Sequence, residues 1–191
     1  GLLSRFLNPL ALRFPLFDPD TLITELWPLV RPLFNRFGAV LYIVLIIAGA
    51  VTAMRNWGPL TSNLIDRILS AQSLAILALV YPFVKLLHEL GHGFAVKKYG
   101  GEVREVGVMF LVFIPVPYVD ASAATGFTSK WKRMFVGSAG ILVELALAAA
   151  AMLIWTQLEE GFWRAASFNV MIIGGVSTLL FNGNPLLRFD G

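Results

Sequence analysis

The sequence predicts an α-helical integral membrane protein with about four transmembrane helices and a short membrane-associated β or re-entrant element after the second of them. Three observations predict this class. Of 191 residues, 57% are hydrophobic and 14% charged, whereas a soluble domain carries about 25% charge. The mean hydropathy is +0.74. The apolar residues also gather into separate runs of bilayer length, broken by Pro, Gly and charged residues. A net charge of +3 leaves no basic stripe of the kind nucleic acid requires. The chain has no cysteine, which excludes disulfides, iron–sulfur clusters and thiolate metal sites.

Residues 1–36 form an N-terminal segment of mixed character, with apolar residues interleaved with Arg5, Arg13, Pro9 and Pro15. The prolines forbid one long helix. Asp20 is expected to cap a short helix running from Thr21 towards Val30. The segment is read as lying at the membrane interface or packed on the bundle; a partner-binding arm is the competing reading. The membrane-embedded domain is expected over 37–191. Its first span runs from about Phe37 to Met54 without a charge, roughly 27 Å of helix and just enough to cross. A polar loop over 55–71 follows, with a turn at Asn56-Trp57-Gly58-Pro59.

The second span is predicted from about Gln72 to Val96, ending at Lys97-Lys98-Tyr99-Gly100-Gly101. The run Val106–Val116 is too short to span as a helix and is bounded by Pro115 and Pro117. It is expected to be a hairpin or re-entrant strand lying against protein or a wet cavity. A basic loop over 121–133 leads to a third span, about Phe135 to Trp155, with Gly137, Gly140, Glu144 and Ala148 on one face. The small residues there admit another helix closely. A fourth span, about Phe162 to Phe181, breaks at Asn182-Gly183-Asn184-Pro185. The chain opens at Gly1 and stops at Asp190-Gly191, so it is expected to be a piece of a longer protein.

Charge near the span ends sets an orientation. Arg31 and Arg36 precede the first span, and Lys97, Lys98, Arg104, Lys130, Lys132 and Arg133 lie between the second and third; the other side has Arg55, Arg67 and Arg164. The positive-inside rule then places the N-terminus in the cytoplasm. All five tryptophans fall near span ends, as interfacial anchors do. The ends of the second and fourth spans are thereby expected on the same, cytoplasmic side.

The chain's only two histidines stand in His88-Glu89-Leu90-Gly91-His92. Four residues apart on a helix, they share a face and can grip one metal ion. Glu89 is placed to take a proton from a metal-activated water. The plainer reading, histidines that only bond to neighbours, is weakened by the apolar run around them, because ionisable groups at membrane depth are costly. A catalytic zinc site needs about three protein ligands. With no third His and no Cys, the remaining ligand is a carboxylate, and Asp120, Glu144 and Asp190 are the candidates. Asp120 is also explained as an ordinary cap, and Glu144 as an interior acid bonded to a neighbouring helix. Asp190 lies on the expected side beside a helix break. Lys85, one turn before His88, is a possible accessory that would stabilise an oxyanion or pair with Asp120 or Glu144.

The motif at His88–His92, followed by Asn182-x-x-Pro185-x-x-x-x-Asp190-Gly191 after a later helix, resembles the site-2 protease family of intramembrane zinc metalloproteases. The stretches Gly100-Gly101-Glu102-Val103, Pro115–Asp120 and Phe181–Gly191 look closest to its bacterial branch of peptide zinc metalloproteases. Phe189 departs from the Leu usual before Asp-Gly. The resemblance covers about Gln72 to Gly191. It implies one zinc ion per chain on His88, His92 and Asp190, Glu89 as general base, and an active-site cleft shaped by Asn182 and Pro185. It implies that the strand region near 106–116 holds substrate in extended form. The substrate would be a membrane-associated protein or peptide, hydrolysed at the cytoplasmic side of a bacterial cytoplasmic membrane. Further domains or subunits are expected beyond this stretch. The alternative is a non-hydrolytic membrane scaffold or export subunit that keeps a metal site; its function would survive substitution of Glu89.

Overall fold

The hydropathic runs do become helices. A computed structural model describes residues 11–103, 105–111 and 114–183. In chain order these form β1 (Ala11–Phe17), α1 (Asp20–Val30), α2 (Arg36–Arg55), the short α3 (Trp57–Thr61) and α4 (Leu64–Leu69), α5 (Ala71–Lys98), β2 (Val106–Leu111), β3 (Ile114–Val119), α6 (Lys130–Trp155) and α7 (Phe162–Gly183). Among the described residues three helices, α2, α5 and α6, are long and apolar enough to cross a membrane.

Two compact units emerge, one from residues up to Phe34 together with Lys85–Gly140, the other from Asn35–Val84 with the chain after Ile141. In the first, Ile23 of α1 is buried with Phe94, Ala95 and Val96 of α5, Val103, and Val136 and Ala139 of α6. Burying a side chain of this size stabilises by about 1.5–3 kcal/mol. The short α1 thus holds its place by one apolar face. Its start differs from expectation. Asp18 Oδ1 accepts the Asp20 amide at 2.9 Å, and Asp20 makes no cap to its own helix. Its carboxylate instead accepts from Lys97 Nζ at 3.2 Å and from the Val103 amide at 3.2 Å. Partial burial works against this charge, but the Val103, Lys97 and Thr24 donors outweigh it and hold the Asp20 carboxyl below its usual range.

The strands form one antiparallel sheet in the order β1-β2-β3. β2 pairs with β3 from Val106↔Val119 to Leu111↔Ile114. β1 pairs with β2 from Ala11↔Leu111 to Phe17↔Val106, with a bulge between Pro15 and Phe17. The Asp120 amide donates to the Glu105 carbonyl at 2.9 Å, so that pair is hydrogen-bonded. Bonded and non-bonded pairs alternate. Residues 114, 116 and 118 therefore face β2, while Pro115, Pro117 and Val119 turn their main-chain groups to the outer edge. By the same alternation Pro15 faces the outer edge of β1. Each proline in the sheet occupies a position whose missing N–H costs no ladder bond.

In the second unit, small residues set the helix spacing, as the Gly and Ala pattern predicts. A Cβ on Gly49 of α2 would lie 2.8 Å from Ala149 Cβ of α6, and one on Gly174 of α7 would lie 2.8 Å from Ala148 Cβ. The Tyr42 hydroxyl donates to the Leu142 carbonyl at 2.9 Å. Met152, Trp155 and Phe168 form a separate apolar cluster at one end of this unit. The 55–71 loop of the sequence reading is in fact mostly α3 and α4. Pro59 is tolerated because it sits in the first turn of α3, where its N–H has no helical partner to lose.

Candidate metal centre

α5 carries His88 and His92 one turn apart, and both imidazoles turn to the same side. Their Nε2 atoms stand 3.2 Å apart, with ring centroids at 4.9 Å and planes at 71°. His92 Nδ1 donates to the Val136 carbonyl at 2.7 Å. A carbonyl can only accept, so Nδ1 holds the proton and, in the neutral ring, Nε2 holds the free lone pair. This is the arrangement in which a metal-binding histidine is oriented from behind by a main-chain acceptor.

His88 is shaped by what is missing. A Cβ added to Gly140 of α6 would fall 2.2 Å from His88 Nε2 and 2.4 Å from its Cδ2 and Cε1. The imidazole lies against the bare face of α6, and only glycine leaves it room. Glu89 points elsewhere, towards the sheet, where its Oε2 accepts the Val119 amide at 3.1 Å. That amide belongs to the outer edge of β3. The end of the hairpin is thus pinned to the motif helix through one carboxylate oxygen.

The remaining residues of interest sort by place. Lys85 lies half-buried one turn before His88 on α5. Asp120 behaves as a turn former: its Oδ1 accepts the Ser122 amide at 2.9 Å, and its own amide bonds Glu105. Glu144, 1% exposed, is buried on α6 in the second unit. Asn182 falls in the last turn of α7. Its side chain, with Pro185 and Asp190, lies outside the described residues. Among the described residues no three His, Asp or Glu side chains gather closely enough to hold an ion.

The donors present fit zinc. Two nitrogens at about 2.0–2.1 Å from one tetrahedral ion stand roughly 3.3–3.4 Å apart, close to the 3.2 Å observed. Sequence reasoning missed three partners: the Val136 carbonyl, the Val119 amide and the bare Cα of Gly140. The first two are main-chain groups that any residue type supplies. Gly140 is visible in the sequence as part of a small-residue face, but not its aim at His88.

Fold and site together define a membrane protein whose apolar helix displays a metallohydrolase-type H-E-x-x-H pair. The family model for peptidase family M50 matches residues 73–191, more than half of the chain, and the chain belongs to that family, the site-2 proteases. Membership makes it a membrane protein of the metalloprotease type, and proteases of this family are generally zinc-dependent. No curated protein and no solved structure matches the chain.

Proposed function

We propose that this chain is the membrane-embedded core of a zinc-dependent endopeptidase that hydrolyses a peptide bond in a membrane-associated protein or peptide. The observation that carries this reading is the pair of facing Nε2 atoms at 3.2 Å, one of them oriented by the Val136 carbonyl, in a chain of family M50. His88 and His92 would hold the ion together with Asp190, and Asn182 and Pro185 would shape the cleft. Bound there, zinc supplies a Lewis acid that polarises a carbonyl and acidifies water. Glu89 acts as general base through Oε1, its Oε2 being held by Val119. Lys85 is an accessory cation for developing negative charge. α7 supplies a fourth crossing, the N-terminus is cytoplasmic, and the site opens towards the cytoplasmic face of a bacterial membrane, the source of its water.

A helical substrate hides its carbonyls in hydrogen bonds, so it must be extended before cleavage. The sequence reading places it along 106–116; within that stretch β2 is flanked on both sides by β1 and β3, so the edge on offer is that of β3, which begins at Ile114. The edge nearest Glu89 is that of β3. There the carbonyls of Pro115 and Pro117 accept, and no proline N–H donates. An extended substrate bonds to this edge by donation only, in a one-sided form of strand addition.

The test is zinc content and cleavage together. Wild type, Asp190→Ala and Glu89→Gln are purified in detergent for bound metal, and new peptide termini are mapped by mass spectrometry in membranes expressing each. The expectation is about one zinc per chain in wild type and Glu89→Gln, less in Asp190→Ala, with cleavage falling about 10²–10⁴-fold in Glu89→Gln. Undiminished cleavage by Glu89→Gln, or wild type without metal, would overturn the reading.

A further inference from the structure

The second unit forms an open cavity of about 520 Å³ that the proposed hydrolysis does not use. It lies where α5 and α7 begin and α6 ends, with Ser73, Gly161 and Trp155 on its wall. This volume falls in the range of ligand sites, about 300–1,000 Å³.

Two guanidinium groups face this cavity. Arg67 NH1 donates to the Pro59 and Leu60 carbonyls, each at 3.1 Å, and its Cζ stacks 4.2 Å from the Phe168 ring centre. Arg164 NH1 donates to the Leu158 carbonyl at 2.8 Å, and its Cζ stacks 4.3 Å from the Trp155 ring centre. These bonds and stacks fix both planes. Each guanidinium has five N–H donors, so both keep donors to spare. Glu160 also lines the cavity, yet among the described residues neither arginine makes an ion pair. Burial, and then the charge of Arg164, work against the Arg67 cation.

Part of the lining is polar and self-satisfied. Ser73 and Asn169 are 8% and 3% exposed. The Ser73 hydroxyl donates to Asn169 Oδ1 at 3.4 Å, and Asn169 Nδ2 donates to the Ala165 carbonyl at 2.9 Å. The first turn of α7 adds a positive helix end to the same space. Holding two like charges in one half-buried cavity is unfavourable unless an anion sits between them.

We propose that this cavity binds a phosphate-bearing anion between Arg67 and Arg164. A planar guanidinium matches a phosphate with two parallel hydrogen bonds. Trp57 and Trp163, 63% and 71% exposed, stand close in sequence to the cavity residues Pro59 and Arg164, as side chains of a lipid–water interface do. The phosphate therefore comes either from a phospholipid headgroup or from the aqueous phase.

The experiment follows thermal unfolding of the chain in an uncharged maltoside detergent, at constant ionic strength. One arm titrates inorganic phosphate against chloride. The other adds phosphatidylglycerol against phosphatidylcholine. A higher melting temperature in the lipid arm alone assigns the site to a headgroup, and one in the phosphate arm assigns it to the free ion. Arg164→Gln is expected to weaken the response about tenfold, the worth of one charge-assisted contact. Arg55→Gln, outside the cavity, is expected to leave it unchanged. Ala165→Glu places a carboxylate on the cavity wall. It is expected to raise the melting temperature without ligand and to abolish the response, which keeps the test decisive if Arg164→Gln does not fold. No response in either arm, or a wild-type response in Ala165→Glu, overturns the proposal.

Discussion

Replacing Gly140 by alanine tests the candidate centre by adding a single carbon. The new Cβ would sit 2.2 Å from His88 Nε2, and a carbon–nitrogen contact settles near 3.5 Å. The imidazole must then retreat by about 1.3 Å. A metal site tolerates ligand displacements of about 0.2 Å, so the Nε2 pair now at 3.2 Å no longer serves one ion. The loss in zinc affinity is expected to be at least about 10²-fold, beyond what loss of an outer-shell partner causes. Stability should change far less. The clashing atoms are the far end of a side chain that can swing away, and alanine in a helix gains about 1 kcal/mol over glycine, against an overpacking cost of about 1–3 kcal/mol. Zinc content after dialysis against a competing chelator is measured beside the melting temperature. A folded Gly140→Ala protein that binds zinc within about threefold of wild type would refute the placement of His88. So would a variant that unfolds while still retaining zinc.

Two further outcomes probe the scaffold around that centre. Asp20→Asn is expected to cost about 1–2 kcal/mol at neutral pH, since Lys97 and the Val103 amide lose a charged acceptor that is partly screened by solvent. The Asp20 carboxyl is held below its usual value, so its contribution is full above the unfolded pKa of about 4 and fades as pH falls through the folded one. Melting curves of wild type and Asp20→Asn should therefore converge on acidification; a gap that is constant with pH would sink the assignment. Gly107→Ala puts a Cβ 2.2 Å from the Phe14 carbonyl oxygen, a main-chain atom that moves only if β1 moves. The variant is expected to lose about 1–3 kcal/mol and to expose Arg13 in β1 to trypsin under native conditions, and unchanged resistance at Arg13 would contradict the β1–β2 register.

The helices and the histidine pair were legible because their signals are local. Apolar runs from Phe37, Gln72, Phe135 and Phe162 mark α2, α5, α6 and α7 to within a few residues. The largest miss is at α6, which starts at Lys130 because helix continues through the basic residues before the apolar run. The spacing of His88 and His92 places both on one face without any knowledge of the fold. β1 was not legible. Its alternation of Leu12, Phe14 and Leu16 is interrupted by Pro15, and its partner lies a hundred residues later, at Leu111 for Ala11. Asp20 reads locally as a helix cap, yet its partners are Lys97 and Val103, which only the packing of α1 on α5 brings near. The arginines at 67 and 164 read as sparse charges at span ends, and nothing local to either indicates that they share a cavity.

The bond between Glu89 and Val119 joins these strands of argument. A proline at 117 and another at 115 remove the donors from the outer edge of β3, which leaves the Val119 amide as the first outward donor at that end of the strand. Glu89 takes it. The edge near the centre is therefore stripped of N–H groups by two different means, the imino ring and the carboxylate. Prolines on an exposed edge oppose two-sided pairing and so protect against aggregation. Here they also fix the polarity of whatever binds: an extended chain on this edge must donate its own amides to the carbonyls of 115 and 117. The number of bonds is about half that of a full ladder, so the grip on an extended chain is weak and readily released. For a protease that weakness is useful, since binding energy spent equally on ground state and transition state does not raise the rate of the chemical step.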